Sequence, residues 1–255
     1  MKTSDVMDKE AFITEKLKKF KLVDIREQYV DLIAEAKTDK LGYEDFLIKL
    51  LMAEDEGKVR RRTEKLIAKA NFDTITSLSE IDYSFNRSLD KAKIDELGTL
   101  RFIEAKENVI IIGPPGVGKS MIATGIGRNA CNAGYKVMFV NAKELVDQLH
   151  DAMMKGKLQE ILKDLTKIDL LIIDELSYIK MDKEKESLFF QIIRQRYEKG
   201  SLIITTNLPM GRWDELFTGQ LAATAILDRV LHHCHVISIT GDSYRVKGSK
   251  KSVKS

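Results

Sequence analysis

Gly113-Pro114-Pro115-Gly116-Val117-Gly118-Lys119-Ser120 is a G-x-x-x-x-G-K-S run whose residue types suit the binding of a polyphosphate. Gly113, Gly116 and Gly118 let backbone N–H groups turn inward, where side chains would block close approach. Lys119 offers a point charge between the β- and γ-phosphates, and the Ser120 hydroxyl can ligate magnesium. The run predicts ATP and Mg2+ as cofactors, with Gly113, Pro114, Pro115, Gly116, Val117, Gly118, Lys119, Ser120 and Met121 as the nucleotide-binding stretch. A second run, Asp169-Leu170-Leu171-Ile172-Ile173-Asp174-Glu175, sets two carboxylates after four apolar residues. Asp174 suits the support of magnesium through water, and Glu175 the polarisation of a water that attacks the γ-phosphate. A third stretch, Thr205-Thr206-Asn207, offers an amide to that water or to the phosphate; before Leu208-Pro209 the same Asn also suits a turn cap.

These groups need a scaffold that brings them to one edge. The apolar run Asn108–Ile112 enters the glycine loop as a strand, and Met121-Ile122-Ala123 opens a helix whose N-terminal end favours anions. From Leu100 onward strand and helix signals alternate. Strands are expected at Val109–Ile112, Lys136–Val140, Leu170–Ile173, Ser201–Thr206 and Val236–Ile239. Helices are expected at Lys119–Asn132, ended by Gly134, at about 143–163, at Lys185–Lys199 and at Leu221–Leu231. This alternation predicts an α/β domain with a parallel five-stranded sheet.

Residues 8–36 read as helical, with Leu22, Ile25, Tyr29, Leu32 and Ile33 forming one apolar stripe. A polar turn at 37–42 precedes a second helix from Tyr43 to Ala70, whose buried face is expected at Phe46, Leu47, Leu50, Leu51, Leu66 and Ile67. Lys58, Arg61, Arg62, Lys65 and Lys69 fall three or four apart, so they share a face. Such a stripe suits the phosphate rails of duplex DNA, and equally a solvated charged face beside Glu54, Asp55 and Glu56. Residues 71–99 read as a junction whose aromatics plug onto a neighbouring core, with base stacking as the other reading. The expected organisation is a small all-α domain over 1–78, a nucleotide domain over 79–246, and a basic, disordered tail over 247–255.

The totals narrow the class. The 255 residues are 44% hydrophobic and 32% charged, enough for a full core in a soluble chain. The net charge of +3 lies in the last fifteen residues, which carry five basic and one acidic side chain; residues 81–240 carry 21 of each sign. A nucleic-acid role must therefore rest on local stripes. No run has the length of a membrane span, and Met1–Asp5 lacks the apolar core of a secretion signal. Two cysteines, Cys131 and Cys234, point to free thiols and a cytoplasmic location. His232-His233-Cys234-His235 is a poor metal site, because adjacent residues in regular structure cannot all face one ion; His232 and His233 suit a helix C-terminus.

Taken together, Gly113–Ser120, Leu170–Glu175, Thr206–Pro209, Ala225–Arg229 and Gly241–Arg245 resemble the IstB family, AAA+ ATPases that assist an insertion-sequence transposase. The loop around Trp213, the Leu227–His233 helix and the Tyr43–Leu47 segment followed by Arg60-Arg61-Arg62 are similar to that family too. The resemblance spans about residues 10–247 and extends to the DnaC/DnaI helicase loaders. It implies an AAA+ core without a full C-terminal lid. It implies Lys119 and Ser120 on phosphates and magnesium, Asp174 on the metal, Glu175 as base and Asn207 as sensor 1. Arg229 is implied as the arginine finger of a homo-oligomer and Arg245 as the sensor-2 arginine. The implied activity is ATP hydrolysis that governs assembly on duplex DNA, which is bent and presented to a partner transposase. The alternative is a helicase loader acting on single strands. A metabolic kinase is disfavoured, because no acceptor-binding motif accompanies the water-activating pair.

Overall fold

A computed structural model describes residues 3–241, 243 and 244, and for residues 3–8 the backbone alone. The chain divides into two compact units, residues 1–65 and 66–255, so the division falls inside a long helix and upstream of the expected 78/79 boundary.

The first unit contains α1 (Thr3–Lys19), α2 (Val23–Thr38) and most of α3 (Tyr43–Ala70). Residues 8–36 do not form one helix. Leu22 N–H donates to Leu17 O and Lys21 N–H to Lys18 O, closing α1 in a Schellman turn with Lys21 at φ 58°. The turn uses a lysine where glycine is usual, so the break carries no composition signal. The new N-terminus of α2 is capped from α3: Glu54 Oε2 accepts the N–H groups of Asp24 and Ile25, at 2.9 and 3.2 Å. Asp24 then sits against Gly57, where a Cβ would lie 1.8 Å from its carboxyl carbon. Ile25 and Tyr29 are buried, as the apolar stripe predicts. Leu47 and Leu51 are more than half exposed, against expectation; the buried side of α3 runs through Glu54 and Gly57 instead.

The second unit follows with a short 3-10 turn at Leu78–Glu80, α4 (Lys91–Gly98), α5 (Arg101–Glu104), β1 (Asn108–Ile112), α6 (Lys119–Asn132) and β2 (Val137–Asn141). Next come α7 (Ala142–Met154), α8 (Leu158–Leu165), β3 (Leu170–Asp174), α9 (Lys183–Arg196), β4 (Ser201–Thr206), α10 (Gln220–Leu231) and β5 (Cys234–Ser238). The region 71–99 is more ordered than its composition predicts: Asp90 caps α4 by accepting from Lys93 N–H, and Ser77 with Glu80 forms a capping box on the 3-10 turn. The helix expected at 143–163 is two helices, divided at Gly156 with φ 68°.

The five strands are all parallel, in the order β2-β3-β4-β1-β5. Their side chains alternate between two cores. Ile110, Leu171, Ile173, Leu202 and Ile204 pack with α7, α8, α9 and α10; Val109, Ile111, Leu170, Ile172 and Ile203 pack with α4, α5 and α6. Burial on both faces is why these strands read as continuous apolar runs. Each fully buried Ile or Leu contributes about 1.5–3 kcal/mol, which fixes register strongly and with it the strand ends.

Candidate nucleotide site

Strand order brings the site together. β4 lies between β1 and β3, so the loop after β1, the carboxylates ending β3 and Asn207 beyond β4 meet at one carboxyl edge of the sheet. Gly116 and Gly118 take φ of 78° and 99°, a conformation that favours glycine. Gly113 is needed for a close approach instead, because a Cβ there would come 2.5 Å from Ile239 O. Val117 anchors the loop in the core, 1% exposed.

Lys119, only 7% exposed, points its ammonium back across the loop. Nζ donates to Gly113 O at 2.9 Å, Pro114 O at 2.8 Å and Asn207 Oδ1 at 2.6 Å. Asn207 is itself held by its N–H, which donates to Ser177 Oγ at 3.1 Å. Ser120 Oγ lies 2.9 Å from both oxygens of Asp174. The two expected metal ligands are thus adjacent, and a hydroxyl with a buried carboxylate is the hard-oxygen set that suits Mg2+ beside phosphate. Glu175 stands at φ 60°, an uncommon conformation for a residue with a side chain. Its Oε2 accepts from Asn141 Nδ2 at 3.0 Å, and its N–H donates to Thr205 Oγ1 at 2.9 Å. Pro115, Gly116, Gly118, Lys119, Ser120, Met121, Glu175 and Asn207 line one cleft, joined by Tyr178 and Tyr244.

Three participants escape the motif reading. Asn141 ends β2 and caps α7 while holding Glu175. Thr205 donates to Asp174 Oδ1 and accepts from Glu175 N–H. Tyr244 reaches the loop from beyond β5, its N–H donating to Gly116 O at 2.8 Å. Thr205 lies in the polar tip already singled out, and Tyr244 in the Gly241–Arg245 motif, where only Arg245 was given a role; Asn141 had no local signal and needed the sheet.

Other expected residues lie away from the cleft. Arg229 does not line it; its Nη1 donates to Ala225 O at 2.7 Å and the guanidinium stands 5.0 Å from the centre of the Phe190 ring. Arg245 and the tail at 247–255 lie outside the described residues. On α3, Lys58, Arg62, Lys65 and Lys69 are exposed. Arg61 departs from the expected stripe: it turns to Asp24 and to Glu54 Oε1, because those two buried carboxylates demand a cation. His232, closing α10, meets the Tyr197 hydroxyl through Nδ1 at 3.1 Å, and His235 meets Glu107 at 2.7 Å. Both cysteines are free. Burial pushes the Cys131 thiol up to about 11 and that of Cys234 up to about 12, so neither is a ready nucleophile.

A parallel sheet in the order 2-3-4-1-5, a glycine phosphate loop and paired strand-end carboxylates define a AAA+ P-loop nucleotide-binding fold. The crystal structure of DnaI has this fold: it superposes with a TM-score of 0.56 at 20% identity, over 69% of this chain and 94% of the crystallised one. Residues 15–252 match the IstB-like ATP binding proteins, and the chain belongs to that family. A protein of Pseudomonas aeruginosa described as an ATP-binding protein of insertion sequence IS21 is 36% identical over 236 residues, 92% of this chain and 89% of its own length. One from Geobacillus stearothermophilus, described in the same terms for IS5376, is 40% identical over 212 residues, 83% of this chain and 84% of its own.

Proposed function

We propose that this protein is an ATPase that assembles on duplex DNA and assists the transposase of an insertion sequence. The observation that carries the reading is the Ser120–Asp174 pair beside Lys119, Asn207 and Glu175, in a chain that matches insertion-sequence ATP-binding proteins over most of its length. The likeness to DnaI concerns the fold alone, so the transposition reading is preferred over a helicase loader.

The chemistry follows from the cleft. Lys119 exchanges its contacts with Gly113 O and Pro114 O for β- and γ-phosphate oxygens. The inward N–H groups of residues 116–120 neutralise the same phosphates from below. Ser120 and Asp174 would hold Mg2+, which when bound would supply positive charge beside the transferring phosphoryl. Glu175 takes a proton from the attacking water, and Asn207 orients that water or the γ-phosphate. Arg229 reaches the γ-phosphate of a neighbouring protomer, so hydrolysis is coupled to homo-oligomer assembly. Arg245 serves as a second sensor of the nucleotide.

Lys58, Arg62, Lys65 and Lys69 contact DNA phosphates without reading bases, while Arg61 neutralises Asp24 and Glu54 beneath them. The assembled protein bends the duplex and presents it to the transposase. No described helix is long and apolar enough to cross a membrane, and a cytoplasmic location is proposed. The test is sedimentation with ATP, Mg2+ and a duplex of about 50 base pairs, a few helical turns. The wild type should form a large nucleoprotein complex and Lys119→Ala should not; equal assembly of the two rejects the scheme. Replacing the duplex by single strands should abolish the complex, and a preference for single strands returns the loader reading.

A further inference from the structure

The loop and its partners account for phosphates but leave a base without a seat. Two aromatic residues line the cleft, Tyr178 and Tyr244. Tyr178 is tied to Glu175, its N–H donating to Glu175 O at 3.2 Å, whereas Tyr244 is tied to Gly116 of the loop. Under the reading above, Glu175 and Asn207 mark the γ-phosphate, so Tyr244 is the aromatic lining residue that is not tied to Glu175.

Tyr244 is fixed there with unusual thoroughness. Its N–H donates to Gly116 O at 2.8 Å. Its hydroxyl donates to Asp82 O at 3.0 Å. Its ring stacks on Phe85, with centroids 3.6 Å apart and planes inclined by 28°. The chain leading to it is clamped as well: Asn86 Nδ2 and Ser88 Oγ both donate to Thr240 O, at 2.8 and 2.7 Å, and Thr240 N–H donates to Ser88 Oγ at 3.0 Å. Ser243 fills the space beside Gly116, where a Cβ would lie 2.1 Å from its Oγ. Residues 82–88 therefore hold a backed aromatic ring at the rim of the phosphate loop.

We propose that the Tyr244 ring, supported by Phe85, is the platform on which the purine of the bound nucleotide stacks. The proposal rests on the ATP reading of the loop and adds the residue that reads the base. A stacked π-face suits a purine, and a ring already held on one side loses little freedom when the base arrives.

Calorimetric titration in Mg2+ with ATP and with inorganic tripolyphosphate separates base from phosphate. The wild type should bind ATP more tightly than tripolyphosphate. Tyr244→Ala should weaken ATP about tenfold or more, the scale of a lost base–aromatic stack, and leave tripolyphosphate unchanged. Tyr244→Phe keeps the ring and should stay near wild type; Phe85→Leu should show a partial loss confined to ATP. Equal weakening of both ligands in the alanine variant would mean that the segment only braces the loop, and would overturn the proposal. So would unchanged ATP affinity, or a wild type without preference for ATP. A wild type that binds neither ligand would bring down the reading of the loop itself.

Discussion

Thr205 carries two hydrogen bonds on one hydroxyl, and both end on the acidic pair. It donates to the Asp174 carboxylate and accepts the N–H of Glu175, whose backbone is held at φ 60°. Thr205→Val keeps the shape and removes both bonds. The Glu175 N–H then loses its partner, at a cost of about 1–3 kcal/mol. Urea unfolding should show that loss, and under the proposed role of Glu175 as base phosphate release should fall as well. Thr205→Ser should restore both. A valine variant with unchanged stability and unchanged phosphate release would deny Thr205 this role.

Arg196 does at the element scale what Thr205 does locally. The residue is 2% exposed, and its guanidinium has carbonyl acceptors at the end of α8, in the loop before β3 and at the start of β4. Nη1 donates to Leu165 O and Ile168 O at 2.6 and 3.0 Å; Nη2 donates to Asp169 O and Ser201 O at 3.3 and 2.9 Å. Burial lowers its pKa to about 10, so it stays charged at neutral pH. Gly200 leaves room for it, since a Cβ there would approach Nη2 to 2.6 Å. The clamp ties the end of α8 to the starts of β3 and β4, the strands whose far ends carry Asp174 and Asn207. Arg196→Met fills similar space but leaves four carbonyls without this donor. A loss of about 1–3 kcal/mol is expected, the scale for leaving buried acceptors without their donor. Denaturant unfolding monitored by Trp213, itself fully buried, measures it; a loss under 1 kcal/mol would mean that the neighbouring backbone satisfies itself.

At the scale of the whole molecule the question is whether one protomer completes the site. Arg229 rests against Phe190 and Ala225 O, away from the cleft lining. If a neighbour supplies it, Glu175→Gln and Arg229→Ala protomers should each be nearly inactive alone and recover activity when mixed. With random mixing roughly one interface in four would hold an intact Glu175 and an intact Arg229. Phosphate release that stays at the level of the separate variants rejects the shared site. DNA contact belongs to the same scale. Lys65→Glu with Lys69→Glu should weaken duplex binding and flatten its salt dependence, with ATP affinity unchanged, as expected when phosphate contacts are lost. An unaltered salt slope would assign the exposed cations of α3 to solvation.

The sequence by itself determined the phosphate loop, the acidic pair, Asn207 and the five strands, because each is written in a few adjacent residues or in a run of one polarity. It also carried the family, through motifs spaced along nearly the whole chain. Other features were decided only by tertiary structure. Lys21 breaks a helix without a glycine, because a Schellman turn is paid for by backbone bonds that composition does not display. Arg61 leaves the basic stripe because Asp24, 37 residues earlier, is buried beneath it. Asn141 and Thr205 meet the acidic pair only when parallel pairing sets β2, β3 and β4 side by side, and Tyr244 reaches the loop only because β5 pairs with β1. Helical and strand periods encode which face a residue takes; which distant residue it then meets depends on strand order, and no local pattern specifies that order.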